Sequence, residues 1–151
     1  MIPELRHACD IRAEVGPIRE LGSTPHGRRR IVPILGGTVS GPRLEGSVVP
    51  GGADWQYVHG DGVVELEARY SIRTRDGIEI AVINRGLRRA DAEIMDRMSR
   101  GEAVDPALVY CRTVPVFEAP TGPHDWLNRS VFVASAARFP DKVEIRVFEV
   151  V

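Results

Sequence analysis

Val63-Val64-Glu65-Leu66-Glu67-Ala68-Arg69-Tyr70-Ser71-Ile72-Arg73, then Thr74-Arg75-Asp76-Gly77, then Ile78-Glu79-Ile80-Ala81-Val82-Ile83, is the stretch that decides the fold. Val64, Leu66, Ala68, Tyr70 and Ile72 fall on one face of an extended chain, and Glu65, Glu67, Arg69, Ser71 and Arg73 on the other. That period of two is the mark of a strand with one wet side. Asp-Gly favours a tight hairpin turn, so Ile78 to Ile83 is predicted to return as the antiparallel partner. The device recurs at the C-terminus, where Arg129 to Ala137 and Val143 to Val150 flank Pro140-Asp141.

Outward from these hairpins, further strands are expected at Ala13 to Leu21, Arg28 to Val39, Leu44 to Val49 and Leu108 to Glu118. About eight short strands leave exposed edges unless the sheet closes, which favours an all-β antiparallel barrel over a sandwich. One helix is predicted over Arg89 to Arg100, where Ala90, Ile94 and Met98 recur at helical spacing and Gly101 stands as the stop. It is expected to cap one barrel end. With 151 residues the chain fits a single domain, residues 1–151.

Lys and Arg total 20 against 21 Asp and Glu, so no overall field attracts nucleic acid or anionic lipid. The run Arg28-Arg29-Arg30 is either a local anion contact or a solvated face beside a turn. Cys9 and Cys111 are too few for a disulfide framework or zinc cluster, and reduced thiols are expected. The N-terminus lacks the unbroken apolar core of a signal peptide, and no window approaches the ~18 apolar residues of a spanning helix. A cytoplasmic protein is expected.

Residues 36 to 57 hold six glycines and two prolines and deliver Asp54, Trp55, Gln56 and Tyr57 in a row. Such a turn-rich segment around a carboxylate and aromatic rings has the composition of a small-molecule pocket wall. Asp54 beside Trp55 is a candidate proton carrier if desolvated, or else fixes a turn by bonding nearby amides. Gln56 offers a donor and an acceptor. Tyr70, on the apolar face of its strand, is either a donor to substrate or a satisfied core tyrosine. Tyr110 and Arg112 share one face, which is solvent or barrel interior; an interior Arg112 requires an anionic partner. Gly122-Pro123-His124-Asp125-Trp126-Leu127-Asn128 repeats the grammar of the first corner, and Trp126 and Asn128 share parity.

His59, close after Asp54, is the one histidine worth testing as an acid/base partner. The four histidines have no metal-ligand spacing, Gly36-Gly37-Thr38 lacks the GK[ST] of a phosphate loop, and no GxGxxG or GxSxG occurs. No metal or cofactor is expected.

Arg28-Arg29-Arg30-Ile31, Pro33-Ile34-Leu35-Gly36-Gly37-Thr38, Gly41-Pro42, Pro50-Gly51-Gly52-Ala53-Asp54-Trp55-Gln56, Asp76-Gly77, Tyr110-Cys111-Arg112, Phe117-Glu118 and Trp126-Leu127-Asn128 together resemble the domain-of-unknown-function family 3237, also called uncharacterised protein family 0311. The resemblance runs from about Val15 to Val150. It implies a compact β-barrel that pairs as a homodimer, and it favours convergence of Asp54, Trp55, Gln56, Tyr70, Arg112, Trp126 and Asn128.

The resulting expectation is a cofactor-independent isomerase, cyclase or lyase acting on a small, partly apolar molecule in the barrel mouth. Asp54 moves a proton, Tyr70 and Arg112 hold charge on oxygen, and Thr38, Trp55, Gln56, Tyr110, Trp126 and Asn128 bind. Rival expectations are a non-catalytic carrier or sensor using the same cavity, and a solid barrel serving as an interaction module.

Overall fold

A computed structural model describes residues 1–151. Ten strands follow in chain order: β1 (Leu5–Val15), β2 (Arg19–Thr24), β3 (Gly27–Ser40), β4 (Gly46–Val48), β5 (Ala53–Val58), β6 (Val64–Thr74), β7 (Glu79–Arg89), β8 (Tyr110–Glu118), β9 (Val131–Arg138) and β10 (Lys142–Val150). One helix, α1 (Ala92–Ser99), and 3-10 turns at Pro106–Leu108 and Asp125–Arg129 complete the chain. The hydrogen-bonded order β1-β10-β9-β8-β7-β6-β4-β3 is closed by β1 pairing with β3. The short strands β4 and β5 both bridge β3 and β6, so they share one position in the wall. The result is the expected closed antiparallel barrel of eight strand positions, with β2 folded back on β3 outside the closure. No helix is long and apolar enough to cross a membrane.

The central hairpin follows its alternation. Val64, Tyr70 and Ile72 of β6 are buried, and β6 pairs with β7 from Val64↔Arg88 to Arg73↔Glu79. The return strand, expected over Ile78 to Ile83, runs on to Arg89, and the helix, expected from Arg89, begins only at Ala92.

Two other expectations are corrected. The first strand is Leu5–Val15 rather than Ala13 to Leu21, because a bulge between His7 and Cys9 buries the consecutive Ala8 and Cys9 and breaks the period-two signal. The second correction concerns Ala53–Val58, which is a strand between β3 and β6 rather than a turn. Its side chains therefore alternate between interior and exterior.

Side-chain size divides the barrel into two halves. Toward one end Phe117 and Phe132 pack edge to face at 5.0 Å, with Trp126 against Phe132 at 5.9 Å and Leu127, Ile72 and Ile80 filling the remainder. Toward the other end the inward positions carry small residues, Ala13, Ala68 and Ala136, beside polar ones. Small side chains in a barrel of this width leave space unfilled.

Candidate functional site

The open half holds a hollow of about 60 Å³, whose polar lining includes Asp54, Gln56, Tyr70, Asn84, Arg88 and Thr113. Cross-strand register explains the space. Ala68 lies between Asp54 and Asn84, and Gly86 lies beside Thr113, so a methyl and a hydrogen stand where larger side chains would meet. Outside this hollow opens a mouth of about 560 Å³, with Ile18, Val58, Met95, Met98 and Phe139 among its apolar lining. Val15, Val32, Gln56, Arg88 and Arg138 border both spaces and form the neck between them. Helix α1 contributes Met95, Asp96, Met98 and Ser99 to the mouth, which places it over that end as expected.

Asp54 is held from two sides. Gln56 Nε2 donates to Oδ2 at 2.7 Å, and the Glu67 amide donates to Oδ1 at 3.0 Å. Gln56 Oε1 accepts from Arg30 Nη2 at 2.6 Å, so Arg30, Gln56 and Asp54 form a chain of hydrogen bonds. Burial pushes the Asp54 carboxyl above its ordinary range, against the pull of Gln56 and the Arg88 charge. Tyr70 is also driven up by burial, so its phenol stays protonated. Its hydroxyl, Asn84 Oδ1, Thr113 Oγ1, Arg30 Nε, Arg88 Nε and Arg138 Nη1 are buried without a hydrogen-bond partner. Buried polar groups are nearly always paired, so six in and around one opening are a strong anomaly. The Cys111 thiol lines the hollow too, and burial raises it away from thiolate reactivity.

Of the residues expected from sequence, Asp54, Gln56 and Tyr70 meet in the hollow. The other six do not. Trp55 is one residue out of phase with Asp54 and lies on the outer face, where the Arg29 guanidinium stacks 5.1 Å from it and 4.0 Å from Tyr57. Tyr110 and Arg112 occupy the exposed parity of β8, while Cys111 and Thr113 point inward. Arg112 donates to its neighbour's carbonyl, Cys111 O, at 2.9 Å. Thr38 is exposed on β3. Trp126 belongs to the packed end, covered by Arg43 at 3.8 Å. Asn128 spends both ends of its amide on Ala119 N and O, each at 2.8 Å, and so fixes a loop. The two tryptophan corners therefore do not share a cavity. His59 pairs with Glu65 at 3.1 Å rather than with Asp54.

Sequence reasoning offered Arg30 only within the run Arg28-Arg29-Arg30, as an anion contact or a solvated face, and missed Asn84, Arg88, Thr113 and Arg138. Strand phase could have found them: Asn84 and Arg88 continue the parity of Ile80 and Val82, and Arg30 that of Val32 and Ile34. The interior guanidinium sought in Arg112 is supplied by Arg88. No three His, Cys, Asp or Glu side chains cluster in a metal-holding arrangement.

Fold and site together define a closed β-barrel, solid at one end and hollow and charged at the other. The chain belongs to the family described as "Protein of unknown function (DUF3237)", which matches residues 3–150. It is 43% identical to a UPF0311 protein of Bradyrhizobium diazoefficiens, over 99% of both chains. A Rhodopseudomonas palustris protein of unknown function has a crystal structure similar at a TM-score of 0.97 and 40% identity, covering 100% of this chain and 99% of that one. An enzyme from Penicillium herquei shares the fold at a TM-score of 0.74 and 18% identity, covering 100% and 96%.

Proposed function

We propose that the protein is an acid/base enzyme of the isomerase, cyclase or lyase type, needing no cofactor, whose substrate is a small, partly apolar organic molecule. The observation that carries this reading is Asp54: a desolvated carboxylate, pinned by Gln56 and the Glu67 amide, at the wall of a hollow with unpartnered hydroxyl and amide groups. A carboxyl moved toward neutral pH by burial is suited to exchanging protons. Asp54 takes a proton from a carbon beside a substrate carbonyl. The electron pair left behind moves onto that carbonyl oxygen, and Arg88 and the Tyr70 hydroxyl hold the resulting enolate. Protonated Asp54 returns the proton to another atom, or the enolate expels a group from the β carbon, which departs with the bonding pair and takes up the Asp54 proton. Asn84 and Thr113 orient the polar end while the apolar body rests in the mouth. The P. herquei barrel is described as an enzyme, which is compatible with this reading and carries none of it.

The test is incubation of a metabolite extract in D₂O with wild type and with Asp54→Asn, read by mass spectrometry. Wild type is expected to convert or deuterate one compound and the variant to leave it untouched. Equal conversion by both removes Asp54 from the chemistry. A second reading, a carrier or sensor, is favoured by the fact that both Asp54 oxygens already accept hydrogen bonds. Recovery of a bound, unaltered and undeuterated molecule after incubation supports that reading instead.

A further inference from the structure

The mouth as a whole is lined by acids as well as bases, with Asp96, Glu102 and Asp141 beside Arg28, but the buried groups at the neck are unbalanced. Arg30 and Arg88 are each only 7% exposed, Arg138 is half-buried, and each carries a guanidinium nitrogen without a partner. Burial lowers all three from the ordinary arginine range, and they repel one another: Arg88 acts on Arg30, Arg30 on Arg138, and Arg138 on Arg88. Attraction comes from Asp54, shared among all three, and from Cys111 on Arg88, Glu20 on Arg30 and Asp141 on Arg138. Asp54 is the one carboxylate lining the inner hollow, against the two guanidiniums of Arg88 and Arg138.

The packed end shows what a completed ion cluster looks like in this chain. Glu149, buried at 8% exposure, accepts from Ser130 Oγ at 2.6 Å and is paired with Arg43. Nothing comparable finishes the arginines at the neck. Desolvated guanidinium groups left with free N–H donors are costly, and a protein retains them where a ligand completes the set.

We propose that the neck is an anion site that receives the carboxylate of an organic acid whose apolar body occupies the mouth. Arg88 and Arg138 border both spaces, and Arg30 lines the mouth side. Guanidinium N–H groups match a planar carboxylate in charge and geometry. The donors facing the neck belong to side chains, since the backbone amides of the wall are engaged in the barrel's ladders. A phosphate-binding cradle of main-chain amides is thus not built here. The ligand class that follows is a monocarboxylate with a hydrocarbon or aryl body, carrying a carbonyl or hydroxyl that reaches toward Asn84, Thr113 and Tyr70. This identifies the substrate class for the hollow described above, and it rests on that hollow being the ligand site rather than on Asp54 moving a proton.

Titration calorimetry tests it with matched probes: 3-phenylpropanoate and octanoate, their uncharged amides, and phenyl phosphate. Wild type is expected to bind at least one carboxylate at least ten-fold more tightly than its amide and more tightly than phenyl phosphate. Arg88→Met and Arg138→Met are each expected to remove that preference, so that carboxylate and amide then bind about equally. Far-ultraviolet circular dichroism confirms folding, and Arg138→Met serves if Arg88→Met does not fold. Equal binding of carboxylate and amide by wild type, tighter phenyl phosphate, no binding of any probe at 10-fold molar excess over a millimolar protein solution, or a preference surviving in either folded variant overturns the proposal. Asp54→Asn separates the two claims: retained carboxylate binding with full turnover sinks only the proton-transfer role, whereas lost turnover without any carboxylate preference sinks only the ligand class.

Discussion

Tyr70 and Asp54 share one hollow, and burial acts on them differently. The Tyr70 hydroxyl is buried with no hydrogen-bond partner in the protein, and a buried polar group left so costs free energy. Tyr70→Phe removes the unpaired oxygen and keeps the ring, so it is expected to raise stability by about 1 kcal/mol. The same change is expected to lower turnover or ligand affinity, a trade common at functional sites. A urea midpoint that falls in the variant contradicts the unpaired state. Asp54 gives a pH signature. Its carboxyl is raised in the fold, so the native state holds the proton more tightly than the unfolded chain does. Its contribution to stability is then fully present below the unfolded carboxyl pKa and is lost as pH rises through the higher native value. Asp54→Asn abolishes that titration. Denaturant midpoints of variant and wild type measured from pH 4 to pH 7 are expected to move in the variant's favour with rising pH; a constant difference means that Asp54 titrates normally.

At the level of strands, the hollow exists because inward positions are small. Gly86 on β7 faces Thr113 across the ladder, and a Cβ there would lie 2.6 Å from Thr113 Cγ2 and also strike the Arg112 carbonyl. Backbone is among the atoms in the way, so Gly86→Ala is expected to destabilise by about 2 kcal/mol, as overpacking does, which a thermal melt would register. An unshifted melt would mean that β7 and β8 part easily. The same strands show what sequence could and could not convey. Strand β6 is legible because charged residues and Ser71 alternate with apolar ones and Tyr70 without interruption. By contrast, β7 is legible only as far as Ile83, because Asn84 and Arg88 put polar groups on the interior parity and imitate a strand end. Glycines around β5 suggest turns, yet they permit close approach: a Cβ on Gly52 would lie 2.5 Å from Tyr70 Cβ. Reading β5 as a turn made Trp55 a neighbour of Asp54 in space, whereas a strand sends consecutive side chains to opposite faces. The ligand-facing residues are obscure in sequence for the reason that makes them informative in structure: they violate the apolar-in pattern.

Across the whole barrel, stability and opening are separated along its length. The packed end holds the aromatic cluster and the finished Glu149 ion group, while the other end holds the unpartnered arginines under α1. Helix α1 has eight residues, no buried side chain and no side-chain hydrogen bond at its Asp91 cap. A helix that short does not stand alone in water, and its ion pairs, Asp96–Arg100, Arg100–Glu102 at 3.0 Å and Arg97–Glu102 at 3.7 Å, join it only to its own C-terminal turn, while Met95 and Met98 face the mouth. Local openings of such an element cost much less than global unfolding. Amides of Met95 to Ser99 are therefore expected to exchange with D₂O at least about 100-fold faster than those of Tyr70 to Ile72 and Ile80 to Val82, whose strands pair in the barrel wall. An acid seated at the neck with its apolar body against Met95 and Met98 would oppose those openings. Saturating 3-phenylpropanoate, where it binds, is accordingly expected to slow exchange in α1 and to leave the packed end unchanged. Protection of α1 equal to that of β6 in the ligand-free protein would mean that the helix is part of the rigid wall, and that access to the hollow does not pass beneath it.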